Sequence, residues 1–210
     1  MIGTRDGTVS FGKLATDVKL AGIFYFFGGM EIIVLLTVAE SLYPGYSVHT
    51  NTISDLAAIG QSTSLLFDPA IFAWGLSWLL GAYFLLRHSG RRRMMLLNVL
   101  PGIGVMMAAL SPENVNIAIH SVGAIIAFIP GATAVLLSYR LIGSQLRFFA
   151  LFLGLLSLAS VAVYFGAYYS PLVQQTLGSG GAERVIVYPI IVWMIGFGSY
   201  LMGRPSEGSR

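Results

Sequence analysis

The chain of 210 residues contains no cysteine. That absence excludes disulfide scaffolds, thiolate metal sites and a cysteine nucleophile. Charge is scarce as well, with Asp, Glu, Lys and Arg making up 10% of the sequence. Soluble domains devote about a quarter of their residues to charge, so an ordinary cytoplasmic enzyme, a disordered chain and a fibrous chain are all excluded. Only three histidines are present, and the HExxH, GxSxG and Walker patterns are missing. No alternating ten-residue strand pattern occurs either, which excludes a β-barrel.

What the sequence has in abundance is apolar: 56% of residues are hydrophobic, and the mean hydropathy is +0.78. Six apolar stretches have about the 20 residues an α-helix needs to cross hydrocarbon. They are Leu20–Tyr43, Ser64–Leu86, Met94–Leu110, Asn116–Tyr139, Phe148–Tyr169 and Val185–Met202. Lipid cannot satisfy backbone polar groups, so the expected fold is all-α, a polytopic transmembrane bundle of six helices. The third stretch is the shortest and contains Pro101, Gly102 and Gly104. Pro101, Pro130 and Pro189 predict kinks inside spans.

The first stretch is too long for a removed signal peptide and lacks a small-residue cleavage site, so it reads as a retained anchor. Residues 1–19 form a cytoplasmic N-terminal segment, in which Phe11–Leu20 is a candidate juxtamembrane helix. Residues 20–203 form the transmembrane domain and residues 204–210 a loose polar tail.

Orientation follows from lysine and arginine. Arg5, Lys13, Lys19, Arg87, Arg91, Arg92, Arg93, Arg140, Arg147, Arg204 and Arg210 fall on one side, and Arg184 alone falls on the other. The bias places both termini in the cytoplasm of a multi-pass cell-membrane protein. The net charge of +3 is explained by these loops, so nucleic acid is not an expected partner. Expected partners are membrane lipid and, as an open alternative, further copies of the chain.

The other ionisable residues gather on the outer side. Glu40, His49, Asp55, Asp68, Glu113, His120, Glu183 and Arg184 all map to outer loops or outer halves of spans. The first outer loop, YPGYSVHTNTISDLAAIGQST, places His49, Thr50, Asn51, Thr52, Ser54 and Asp55 within seven positions. Such residues cap helices, with Ser54 or Asp55 accepting from free N–H groups, or they contact a ligand directly. His120 lies inside the fourth span, where Asn116, His120, Gly123 and Ala127 share one helical face suited to packing against neighbours. It is read either as a satisfied core histidine or as a general base reached from outside.

Glu31 sits mid-span beside Gly28 and Gly29, with no basic residue at similar depth. A carboxyl there must be protonated, paired or aimed at a polar cavity, which makes it the candidate for a proton-linked role. Asp68 precedes Pro69 and either caps the second helix or joins a site. Arg184 is the natural partner for an outer carboxylate or a lipid phosphate. The GSGGAER run before the sixth span reads as a flexible lead-in. His49, His120 and a carboxylate offer a conceivable zinc set, but no spacing demands it; no metal is expected and no cofactor is indicated. Tyr43, Tyr46, Tyr168 and Tyr169 read as an outer interfacial belt.

The runs YPGYSVHTNTISDLAAIG, LFDPAIF, SPENVNIAIHSVGA and GAERVIVYPIIVW resemble an uncharacterised prokaryotic six-span membrane family, domain of unknown function 998. The resemblance extends from about Leu20 to Met202, and NTISDL is its most specific piece. The ISD-containing loop with a later H-x-x-G-A is also similar to the eukaryotic Frag1/DRAM/Sfk1 group. Members of that group act in lipid remodelling or lipid-linked signalling. That similarity implies a lipid-facing role for Ser54, Asp55 and His120.

Three functions compete. An outward polar pocket that binds a lipid or amphiphile would hydrolyse or transfer an acyl or head group. Ser54 or water would then be the nucleophile, His120 the base and Asp55 the orienting acid, with His49, Asp68, Asn116 and Arg184 as ligand contacts. The alternatives are a small proton-linked transporter centred on Glu31 and a non-catalytic membrane scaffold.

Overall fold

Long apolar runs without period-two alternation fold as helices, since only a helix satisfies its own backbone in hydrocarbon. The computed structural model describes residues 7–88, 97–167 and 170–204, and among these it contains helices and turns but no strand. The helices are α1 (Gly7–Leu42), α2 (Ser64–His88), α3 (Val99–Leu110), α4 (Ile117–Leu137), α5 (Leu146–Ala167), the short α6 (Pro171–Thr176) and α7 (Gly178–Met202). Five are long and apolar enough to cross a membrane, and α3 is a shorter apolar helix beside them.

Two boundaries differ from expectation, and a third helix is short. Phe11–Leu20 is part of α1 rather than a separate helix; no proline interrupts the run, so the helix continues. α7 starts at Gly178, seven residues before Val185, so the GSGGAER run is helical and not a flexible lead-in. α3 has 12 residues, about 18 Å at 1.5 Å per residue, less than the ~30 Å of hydrocarbon. The expected start of that third span, Met94, lies outside the described residues. So do Arg5, Arg91, Arg92, Arg93, Tyr168, Tyr169 and Arg210.

The helices pack in a closed ring, α1 against α2, then α3, α4, α5 and α7, which returns to α1. The short α3 joins by close backbone approach. A Cβ on Gly104 would lie 2.6 Å from the Gly123 carbonyl oxygen, and one on Gly123 would lie 2.8 Å from the Ala108 nitrogen. Only glycine lets the α3 and α4 backbones touch this way.

The inside of the ring holds Tyr25, Trp74, Trp78, Trp193 and Phe197, all buried. Trp193 stacks on Phe197 with ring centroids 4.8 Å apart and donates its indole N–H to Ser138 Oγ at 2.8 Å. The outside is apolar too, with Phe148, Phe149, Phe152 and Leu155 of α5 exposed. Apolar surface on that scale marks a membrane-facing exterior. The chain is an integral membrane protein.

The two ends of the ring differ. Lys19, Arg87, Arg140, Arg147 and Arg204 sit at one end, where Arg87 pairs with Asp17 at 3.3 Å. The acidic residues Glu40, Asp55, Glu113 and Glu183 gather with Arg184 at the other, the acidic end.

Candidate functional site

The loop between α1 and α2 is built by its own polar side chains. Thr52 N donates to Asp55 Oδ2 at 2.9 Å, and Asp55 N donates to Thr52 Oγ1 at 3.1 Å. This reciprocal pair is of the capping-box kind, and it starts the 3-10 turn Ser54–Ala57. Asn51 Nδ2 adds a further bond to Asp55 Oδ2 at 3.2 Å. The TISD stretch therefore folds locally and presents Ser54 at the head of the turn.

His120 lies one turn into α4, whose first free N–H groups are capped by Asn116, with Ile119 N donating to Asn116 Oδ1 at 3.1 Å. Its ring reaches back to the end of α3. Nδ1 lies 3.2 Å from the Ala108 carbonyl oxygen and 3.1 Å from that of Ser111, where a helix end leaves carbonyls without intrahelical partners. Two acceptors around Nδ1 require a proton on it. Nε2 is turned to Ser54 Oγ at 3.1 Å.

The third member comes from α7. Glu183 is buried and anchors the loop: Ile53 N donates to Oε2 at 2.5 Å and the Ser54 hydroxyl contacts Oε1 at 3.2 Å. Ser54 Oγ thus bridges an imidazole and a carboxyl. All three line a cavity of about 50 Å³ inside the ring, enough for a few waters. The rest of its wall is apolar, including Ile32, Leu36, Ile71, Trp74, Val105 and Phe128, and no lysine or arginine lines it.

Arg184, the next residue along α7, is consumed by structure. Nη2 pairs with Glu40 Oε1 at 2.7 Å and also donates to the Tyr46 hydroxyl, while Nε is buried without a hydrogen-bond partner. Nη1 donates to the carbonyls of Asn51 at 3.1 Å and Gly180 at 2.8 Å. Burial pushes the Tyr46 phenol up to about 12, against the opposing pull of Arg184. The loop closes on α7 so tightly that a Cβ on Gly180 would overlap the Asn51 carbonyl oxygen. At Gly178, with φ +66, a Cβ would overlap the carbonyl oxygen of His49.

Glu113, in the α3–α4 connection, hydrogen-bonds Asp55. Burial pushes its carboxyl up to about 8, reinforced by that bond and by the charges of Asp55 and Glu183. Asp68 lies in the first turns of α2, and its Oδ1 is buried without a hydrogen-bond partner.

The structure therefore brings Ser54 and His120 together, while the acid on Ser54 is Glu183. Asp55 is engaged with Thr52, Asn51 and Glu113. Asn116 caps α4. His49 is exposed at the α6–α7 turn, where its carbonyl accepts from Gly180 N at 3.2 Å. Arg184 is tied to Glu40, Tyr46 and the loop. Glu31 lies far down α1 on the side of Gly28, which packs on Ser77 of α2, and Glu31 Oε2 is buried without a partner. Among the described residues no three His, Asp or Glu side chains form a metal-binding group. Sequence reasoning passed over Glu183 as a site member; the only signal was its place among the outer ionisable residues, directly before Arg184.

These features define an all-helical integral membrane protein with a buried serine–histidine–glutamate contact at one end of a helical ring. Residues 26–200 match the model of a family described as Protein of unknown function (DUF998), and the chain belongs to that family. No curated protein and no solved structure matches it.

Proposed function

We propose that this protein is a six-span enzyme of the cell membrane, with both termini cytoplasmic, that cleaves or transfers an acyl group of an amphiphile at its outer face. Supporting the orientation, the described basic residues other than Arg184 sit at the opposite end from the site. The observation that carries the reading is Ser54 Oγ held 3.1 Å from His120 Nε2 at the wall of an otherwise apolar cavity. A nucleophile within hydrogen-bond reach of a base, with the base oriented from its far side, is the arrangement acyl transfer needs. Here the carbonyls of Ala108 and Ser111 orient the base. The cavity of about 50 Å³ has room for an acyl carbonyl and the carbons next to it, with the rest of the chain outside. Its apolar wall suits that end, and the absence of a lysine or arginine from the lining favours a carboxylic ester or amide over a phosphate-bearing group. Ser54 Oγ attacks the acyl carbon as His120 Nε2 takes the hydroxyl proton. The bond from the acyl carbon to the leaving oxygen or nitrogen breaks, and that atom departs with a proton from the site. Water or an acceptor alcohol then takes the acyl group, giving its own proton back to the site, and Ser54 Oγ regains its proton from His120. The distant likeness to the Frag1/DRAM/Sfk1 group agrees with a lipid-facing site.

The test is reaction of the purified protein with long-chain alkyl fluorophosphonates, followed by peptide mapping. The expected adduct is on Ser54, absent from Ser54→Ala. A folded protein that gains no adduct at Ser54 with any chain length ends this reading.

One observation favours a second reading. The partnerless Glu31 carboxyl inside a span suits a proton-linked carrier. In that case Glu31→Gln abolishes proton uptake by reconstituted vesicles, and Ser54→Ala leaves it intact.

A further inference from the structure

The three-residue contact contains more hydrogen bonds than its obvious protons can supply. His120 Nδ1 faces two carbonyl oxygens and spends its proton there. The contacts from Nε2 to Ser54 Oγ, 3.1 Å, and from Oγ to Glu183 Oε1, 3.2 Å, need one proton each. The serine hydroxyl brings only one. The second proton resides either on His120 Nε2, giving imidazolium and carboxylate, or on Glu183, giving imidazole and carboxylic acid. The two states interconvert by a paired proton shift through the hydroxyl. Both Glu183 oxygens are already in use, since Oε2 holds Ile53 N at 2.5 Å, so the carboxyl is fixed in place to make the exchange.

We propose that Glu183 is a second catalytic residue, which shares one proton with His120 across Ser54 and delivers it to the leaving group. This rests on the acyl-transfer reading above. In the usual serine triad the acid stands behind the histidine and stays ionised; here the carboxyl stands on the far side of the nucleophile. From the imidazole–carboxylic acid state, Ser54 Oγ bonds to the acyl carbon while its proton passes to His120 Nε2. The bond from the acyl carbon to the leaving oxygen or nitrogen breaks, and that atom takes the Glu183 proton. The acyl-enzyme is left with imidazolium and carboxylate. Water then attacks the acyl carbon and gives a proton to Glu183, and His120 returns its proton to the departing Ser54 Oγ. The starting state is restored, with one water consumed and one acid released.

The charged groups around the exchange are Asp55 from the loop, Asp68 from α2, Glu113 from the α3–α4 connection, and Arg184 from α7 with its partner Glu40 from α1. None contacts Ser54 Oγ among the described hydrogen bonds, so the bridge itself fixes the proton count.

The experiment counts protons and needs no substrate. Full-length protein in lipid nanodiscs, labelled with 15N-histidine, gives the protonated fraction of His120 Nε2 at neutral pH. Infrared difference spectra against Glu183→Gln give the fraction of Glu183 present as carboxylic acid. The Glu183→Gln change keeps the fold, because the new amide oxygen accepts from Ile53 N and the amide nitrogen donates to Ser54. The two fractions are expected to add up to one in the unmodified protein and to depart from one in Ser54→Ala. Fractions that sum to zero or two, or a sum that stays at one without the serine hydroxyl, overturn the proposal. Failure of fluorophosphonate labelling, by contrast, removes the nucleophile and leaves the proton count untouched.

Discussion

His120 Nε2 lies 3.1 Å from Ser54 Oγ, although 66 positions separate the two residues in the chain. Neither is held by the contact alone: Ser54 is presented by the Thr52–Asp55 pair and His120 by the carbonyls that end α3. Each half thus has supports of its own. His120→Ala should therefore leave the unfolding temperature almost unchanged while slowing fluorophosphonate labelling of Ser54 by about 10²–10⁴, the usual worth of a general base. Labelling at the normal rate in a folded His120→Ala protein would show that the imidazole does no proton transfer.

Arg184 and Glu40 form the best-buried ion pair in the described chain, with side-chain exposures of 5% and 21%. Arg184 also ties Tyr46 and the Asn51 carbonyl to α7. Removing one partner of such a pair leaves the other charge buried and alone, a cost of about 3–5 kcal/mol. Arg184→Ala should lose that much in denaturant unfolding in micelles. Arg184→Lys should recover little, because an ammonium cannot reach the four partners that the planar fork reaches at once. A neutral result would mean that the loop closes on α7 through its glycines alone.

Much of the architecture was legible in the sequence. Ser64–Leu86 and Asn116–Tyr139 match α2 and α4 to within a few residues, because lipid demands long unbroken apolar helices and the loops between them carry the charge. The small face of Gly123 and Ala127 reads directly as helix contact. The site was legible only as a neighbourhood. Nothing in one dimension says that Glu183, and not Asp55, comes to Ser54. That choice depends on α7 starting at Gly178, which turns Glu183 inward, and on the local capping that engages the Asp55 carboxylate. Arg184 faced two partners on charge alone, and only the ring geometry selects Glu40. The start of α7 was missed because a glycine-rich run reads as loop, whereas here Gly178 and Gly180 are needed for contact with the carbonyls of His49 and Asn51.

Glu113 makes stability depend on pH. Its carboxyl is pushed up to about 8 from an ordinary 4.5, by burial first and then by Asp55. An acid raised in the folded state favours folding while protonated, so its contribution is complete below pH ~4.5 and is lost as pH rises through about 8. The unfolding temperature should fall over that window, and Glu113→Gln, which cannot ionise, should flatten the fall. If the wild-type and Glu113→Gln curves run parallel from about pH 5 to about pH 9, the Glu113–Asp55 contact is not held in solution.

The close approach of loop and helix yields a steric prediction that is independent of charge. A Cβ on Gly180 would overlap the carbonyl oxygens of both Asn51 and Val48. Both obstacles are backbone, so the loop must move away. That movement takes Arg184 Nη1 from Asn51 and Ile53 N from Glu183. Gly180→Ala should therefore release the Ser54 turn, seen as faster amide hydrogen exchange across residues 47–55, with the remaining helices still protected. Gly181→Ala is the matched control, since its Cβ would meet nothing nearer than the Leu177 side chain at 3.5 Å.

Glu31 separates stability from function. Its Oε2 is buried with no hydrogen-bond partner, and an unsatisfied buried oxygen costs about 1–3 kcal/mol. Replacement by methionine, unbranched and of similar length, removes the polar atom without opening a large void. Glu31→Met should therefore raise stability by about that amount in denaturant unfolding. Selection readily tolerates an apolar substitute where a polar atom only costs stability, so a carboxyl at this depth points to a use. Proton uptake by reconstituted vesicles then divides the cases. Loss of uptake in the more stable Glu31→Met protein assigns the carboxyl to transport. Unchanged uptake, together with lower stability, would show that Glu31 is bonded within the bundle and serves the fold.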